Sequence, residues 1–215
     1  MSEKLDGVRC YWNGTTMHTR NGNPFFAPDW WKKKLPKIAL DGELWTDRDD
    51  FQKIVSIVRK HDTENEEWKK IKFMIFDAPL VKGTFTQRLN KLEKELAKNP
   101  NDVVKMLNQR VCADKDQLAT LMDEILSEKG EGVMLKDPNS SYENRRSYSL
   151  LKVKKFEDTE ATVIGHNKGT GRCSNMLGAL QVREKDGKEF KIGSGFNDAQ
   201  RRKPPKIGSV VTFKF

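Results

Sequence analysis

Apolar and polar positions recur along this chain with enough regularity to place most of its elements. Val8, Cys10 and Trp12 alternate, Asn13-Gly14 supplies a turn and Met17 begins a return strand, so residues 8–20 are read as a hairpin. Asn21-Gly22-Asn23-Pro24 marks a second turn. Residues 38–46 and 71–77 read as strands, the second carrying Phe76, and 50–59 as a helix burying Phe51, Ile54, Val55 and Val58. Two longer helices follow. Residues 84–98 set Phe85, Leu89, Leu92 and Leu96 on one stripe, and 114–128 set Leu118, Leu121, Met122, Ile125 and Leu126 on another. Asp114 and Gln117 form a capping pair for the second. Strands near 132–136 and 148–155 complete this part.

Beyond the charged stretch 154–160 the pattern changes. Short β-like runs at 161–165, 179–183, 190–192 and 210–215 are separated by Gly, Asn and Asp. Strands mixed with packed helices, then a β-rich tail, predict an α+β fold: a core of antiparallel sheets and helices over 1–155, and a small β-barrel over 156–215.

Composition narrows the partners. The chain has 215 residues, enough for a sizeable core, and a net charge of +9, which favours a polyanion. Lys32-Lys33-Lys34, Lys69-Lys70, Arg145-Arg146 and Arg201-Arg202-Lys203 lie far apart in sequence, as a footprint wrapped around a duplex requires. Cys10, Cys112 and Cys173 are odd in number and unevenly spaced, so they define neither a disulfide framework nor a zinc site. No apolar run is long enough to span a membrane as a helix.

The candidate chemistry begins at Lys4-Leu5-Asp6-Gly7-Val8-Arg9, the pattern K-x-D-G-x-R. Alone, three charges in so short a string mark a solvated edge. Phe76 alone is a core residue, Glu43 alone ends a turn, and Lys152 and Lys154 alone are the polar face of an edge strand. The order of the whole set changes this: Leu40-Asp41-Gly42-Glu43-Leu44, Met74-Ile75-Phe76-Asp77, Glu131-Gly132-Val133-Met134-Leu135-Lys136 and Leu151-Lys152-Val153-Lys154 follow in turn. A lysine acts as a nucleophile only once unprotonated, and nearby cations with desolvation favour that form. The i, i+2 spacing of Lys152 and Lys154 on a strand presents both to one site.

Together these motifs resemble the covalent nucleotidyltransferases, the superfamily of ATP-dependent DNA ligases, RNA ligases and mRNA-capping enzymes. Ser2 to Arg9, Ala39 to Trp45, Ile54 to Arg59 and Lys191 to Phe196 are similar to the minimal bacterial ATP-dependent DNA ligases of the Lig E type, over essentially the whole chain. The resemblance implies an OB-fold for the barrel and a three-step sealing of 3′-OH/5′-phosphate nicks in duplex DNA by a monomer. It implies Lys4 as the nucleophile toward the α-phosphate of ATP, with Glu3 and Arg9 beside the nucleotide, Glu43 on the ribose and Phe76 on the adenine. It further implies Arg20 at the nick 5′-phosphate, Glu131 supporting Mg²⁺ (or Mn²⁺), Lys152 on the α-phosphate and Lys154 assisting the leaving group. The alternatives are an RNA ligase, a capping-type guanylyltransferase, or a non-catalytic nick-binding remnant. Lig E-type enzymes suggest a periplasmic location, with the cytoplasm as alternative. Only Met1-Ser2-Glu3 precede Lys4, so a frayed terminus around the nucleophile is expected. A basic and aromatic closing motif is not found after Phe215, which suggests a trimmed chain with a slow first step.

Overall fold

The computed structural model describes residues 1–155 and 158–214. In chain order the elements are β1 (Ser2–Glu3), β2 (Val8–Trp12), β3 (Met17–His18), α1 (Asp29–Lys32), β4 (Leu40–Trp45) and α2 (Phe51–Val58). Then come β5 (Lys72–Asp77), α3 (Phe85–Leu96), β6 (Val104–Met106), α4 (Lys115–Ser127), β7 (Gly132–Lys136) and β8 (Leu150–Lys154). The remainder is β9 (Asp158–Lys168), β10 (Leu177–Arg183), β11 (Glu189–Ile192), α5 (Asp198–Arg202) and β12 (Val210–Lys214). The chain divides into two compact units, Met1–Lys155 and Phe156–Phe215. Among the described residues no helix is long and apolar enough to cross a membrane.

The first unit holds two sheets. One has the order β3-β2-β4-β5-β6, antiparallel except for β6, which runs parallel to β5. Alternation turns Phe73 and Ile75 of β5 into the core beside Leu40 and Leu44 of β4, with Trp31 and Trp68 meeting edge to face at 5.0 Å. Short helix α1 exists to bury Trp31, whose indole N–H donates to the Ile71 carbonyl at 3.2 Å. Helix α2 buries Ile54, Ile57 and Val58; Phe51, expected inside, is 37% exposed because it occupies the first helical position, before the stripe turns inward.

The other sheet, order β1-β7-β8, carries most of the chemistry. Its rear face packs on α4 through Val133, Leu135 and Val153 against Leu121 and Ile125. Each fully buried side chain of that size contributes roughly 1.5–3 kcal/mol, enough to fix the sheet on the helix. Helix α4 starts at Asp114, which accepts from the Gln117 amide at 2.8 Å, while Gln117 reaches back to the Ala113 amide instead of closing a reciprocal box. In α3 the box is complete between Thr84 and Gln87.

The N-terminus is not frayed. Ser2 and Glu3 pair antiparallel with Met134 and Val133, the Lys4 amide donates to the Gly132 carbonyl at 2.8 Å, and the terminal amine donates to the Arg110 carbonyl at 2.6 Å. Met1 packs against the α4 cluster. Two paired residues are too few to be read as a strand from sequence, yet they suffice here because both flanks are tied.

In the second unit four antiparallel strands form one sheet in the order β11-β10-β9-β12. Ala161, Val163, Leu177, Leu180 and Val182 fill its core. The expected barrel takes the form of a curled sheet: Phe190 of β11 and Phe213 of β12, on the two outer strands, meet edge to face with centroids 5.1 Å apart. The strand expected over 210–215 ends among the described residues at Lys214; Phe215 lies outside them, as do residues 156–157 of the charged boundary stretch.

Candidate active site

Strand alternation sorts the side chains around Lys4. Met1 and Glu3 turn to the rear of the β1-β7-β8 sheet, so Ser2 and Lys4 turn to the front. In β8, Val153 goes rearward onto α4, which brings Lys152 and Lys154 forward, opposite Met134 and Gly132. At the front, one carboxylate organises the cluster. Glu131 Oε2 is ion-paired with the Lys4 ammonium and Glu131 Oε1 with that of Lys154. Burial alone would raise the Glu131 pKa, but hydrogen bonds from Lys154 and Lys4 outweigh it and hold the group below its ordinary range. Lys152 shares the face of Lys154, is exposed, and has no ion pair among the described residues.

Gly132 makes this geometry possible. Its φ is +152°, and a Cβ there would stand 2.3 Å from the Val153 carbonyl oxygen, so only glycine lets β7 and β8 approach this closely beside Glu131.

A second group is built on β2 and β4. Arg9 donates to both oxygens of the buried Asp41, from Nε at 3.0 Å and Nη2 at 2.6 Å, and the Tyr142 hydroxyl donates to the same carboxylate at 2.8 Å. The Asp41 hydrogen bond keeps Arg9 firmly charged, and its guanidinium lies 5.6 Å from the centroid of the Phe76 ring. Phe76 occupies the face of β5 opposite Phe73 and Ile75, so it is not part of the core those residues fill. Glu43, opposite Arg9 in register, has its pKa pushed up to about 8, chiefly by desolvation; the charges of Lys4, Arg9 and Arg20 only partly offset it. Arg20 is exposed at the turn after β3, close enough for its charge to act on Glu43.

Asp6 lies beside the Lys4–Glu131–Lys154 group. Its pKa is raised by burial and by the charge of Glu131, against the opposing influence of Lys4 and Lys154. A cleft of about 150 Å³ is lined by Lys4, Asp6, Arg48 and Glu131, among others. Among the described residues no group of three or more His, Cys, Asp and Glu side chains is placed to hold a metal ion.

Lys4, Lys154 and Glu131 are thus in direct contact, Arg9 and Phe76 face each other, and Glu43 lies within the field of both groups. Glu3 is adjacent in sequence but its carboxylate turns away, accepting from Arg48 Nε at 2.8 Å and Nη2 at 2.9 Å. Sequence reading assigned nothing to Asp41, Tyr142, Arg48 or Arg88. Asp41 carried a signal, since it stands inside a quoted motif. Arg88 carried none: it is fully buried on α3, pairs with Asp77 at 2.6 and 2.9 Å, and donates to the carbonyls of Gly83 and Ser140.

A lysine, a carboxylate and a second lysine on one short sheet, beside an arginine, an aromatic ring and a protonatable acid on another, define a nucleotidyltransferase core. Residues 1–154 match the family model described as ATP dependent DNA ligase domain, and residues 168–215 match the DNA ligase OB-like domain. The chain belongs to the ATP-dependent DNA ligases. It is 41% identical over 215 residues to a DNA ligase of Haemophilus influenzae, covering all of this chain and 79% of that protein. A structure from a study of Lig E DNA ligases and DNA binding with a minimal scaffold aligns with a TM-score of 0.93 at 41% identity, covering 100% of this chain and 84% of that one. The Chlorella virus DNA ligase–adenylate aligns with a TM-score of 0.64 at 27% identity, again over 100% of this chain and 84% of that one. A DNA ligase of Archaeoglobus fulgidus is 28% identical over 91% of this chain, which spans only 40% of that larger protein.

Proposed function

We propose that this ligase seals 3′-OH/5′-phosphate nicks in duplex DNA, acting as a monomer through a covalent AMP on Lys4. The observation that carries the reading is the Lys4–Glu131–Lys154 cluster at the front of the β1-β7-β8 sheet. In the first step the Lys4 Nζ lone pair forms a bond to the α-phosphorus of ATP, the bond to pyrophosphate breaks, and the amine gives up a proton. In the second, an oxygen of the nick 5′-phosphate attacks the same phosphorus and the P–N bond returns its electron pair to Lys4. In the third, the 3′-hydroxyl oxygen attacks the 5′-phosphorus, loses its proton, and AMP leaves.

The remaining residues bind and orient. Arg9, fixed by Asp41, and the Phe76 ring hold the nucleotide, with the ring against the adenine. Glu43 meets the ribose and, neutral below about pH 8, has a proton to donate to a hydroxyl oxygen. Lys152 sits on the α-phosphate, Lys154 assists the departing group, and Arg20 receives the nick 5′-phosphate. Glu3 borders the nucleotide through its backbone, since its carboxylate is held by Arg48.

The donor set fits Mg²⁺ (or Mn²⁺). Two carboxyls, Glu131 and Asp6, feel each other's charge, a situation a hard cation relieves, and Mg²⁺ keeps several waters and needs only one or two such ligands. When bound it supplies charge neutralisation at the phosphate oxygens. For Lys4 to attack, its ammonium must leave Glu131, so seating the nucleotide and freeing the nucleophile are linked.

The test is incubation with radiolabelled ATP and Mg²⁺ followed by a denaturing gel. Lys4→Ala should lose the covalent label and keep nicked-duplex affinity within about twofold, since one phosphate-facing charge among many is removed. Persistent labelling of that variant overturns the assignment of the nucleophile, and labelling from GTP in preference to ATP favours a capping-type reading.

A further inference from the structure

Lys4 follows a strand of only two residues at the edge of its sheet, a weak mounting for an atom that must be held to about 0.5 Å. Backbone bonds at Lys4 and Met1 hold the chain direction, and among the described residues the side-chain tie on β1 is at Glu3. Its two oxygens accept from the Arg48 guanidinium in the planar, paired geometry that lysine cannot reproduce. Arg48 lies just past β4, the strand of Glu43, and its third nitrogen, Nη1, is 2.8 Å from a carboxylate oxygen of Glu128, at the end of α4 and three residues before Glu131. One guanidinium therefore joins the strand that presents Lys4, the end of the strand that presents Glu43, and the helix end that leads into Glu131. It does so from the rear, and Arg48 also borders the cleft that Lys4 lines.

We propose that Arg48 is a positioning residue for the first step, holding Lys4 in line with the α-phosphate through Glu3. This rests on Lys4 being the nucleophile. The three steps make different demands. Lysine acts as nucleophile only in the first, whereas joining a nick that already carries a 5′-adenylate needs the surrounding site but no bond to Lys4. A group that merely supports the fold affects both; a group that aims Lys4 affects the first.

The experiment compares Arg48→Gln, Arg48→Lys and Glu3→Gln with the unaltered chain. Single-turnover labelling with AMP at saturating ATP and Mg²⁺ is measured beside sealing of a pre-adenylated nicked duplex, with thermal melting of each protein. Arg48→Gln and Glu3→Gln should slow labelling by about ten- to a hundredfold, the cost of displacing a reacting atom by around an ångström. Sealing of the pre-adenylated nick by Arg48→Gln should stay within about threefold, and Arg48→Lys should fall between in labelling. Unchanged labelling, or labelling and sealing reduced by the same factor, overturns the proposal. Should Arg48→Gln fail to fold, Arg48→Lys, which keeps the charge and loses the paired geometry, decides by the same criteria. Lys4→Ala serves as the control: if it still takes up AMP, the nucleophile assignment has failed and not the role of Arg48.

Discussion

Glu43 keeps a proton that a solvated glutamate would release. Between its ordinary value of 4.5 and about 8 the folded chain binds one proton more than the unfolded chain at this residue. Stability from this group therefore falls as pH rises through that window and levels off above it, by up to a few kcal/mol. Glu43→Gln should flatten the decline in melting temperature between about pH 5 and pH 8; an unchanged slope means the carboxyl is already ionised in the native state. Arg88 makes the opposite demand, needing its charge matched. With Arg88 fully buried against Asp77, Arg88→Met leaves that carboxylate uncompensated and should cost roughly 3–5 kcal/mol in urea unfolding. Residues such as Lys4, Glu43 and Glu131 could be picked out as candidates because each sits within a short motif whose neighbours carry the pattern. Arg48, Arg88 and Tyr142 were not, because their partners lie 45, 11 and 101 residues away and nothing local marks a residue that acts at such a distance.

Long periodic stretches announced themselves at the scale of the element. Helices α3 and α4 stand where the apolar stripes placed them, because a dozen residues give several turns of evidence. Strands β1 and β6 and helix α1, of two to four residues, owe their existence to tertiary partners and leave no pattern to read. The sensitivity of the β7–β8 pairing follows from Gly132. Gly132→Ala must push a backbone oxygen aside and adopt a disfavoured φ, and should lose roughly 2 kcal/mol or more of stability. It should also lower AMP labelling beyond what instability explains, since Lys154 is opposite it in register. Gly22→Ala, where no atom lies within 4 Å of the added Cβ, provides the comparison for backbone strain alone.

Each unit of the whole molecule has its own apolar core, and the surplus of cations is less available than the composition implied. Lys32 is paired with Asp29, Lys34 with Asp102, Lys69 with Glu66 and Arg145 with Glu143, while Arg201 donates to the carbonyls of Leu177, Gly178 and Gly193. Lys33, Lys70, Arg146, Arg202 and Lys203 of those clusters have no ion pair among the described residues. With about five phosphates contacted, log affinity for nicked duplex against log salt should have a slope near −4 to −5; a flat response removes DNA as the main partner of this surface. The Glu131 pairing has a further consequence for the enzyme at rest. An amine able to displace pyrophosphate could equally be carbamylated or acylated by stray electrophiles while no nucleotide is present. With its ammonium paired to the Glu131 carboxylate, Lys4, the proposed nucleophile, is engaged by a partner that the nucleotide must displace before the amine meets any electrophile.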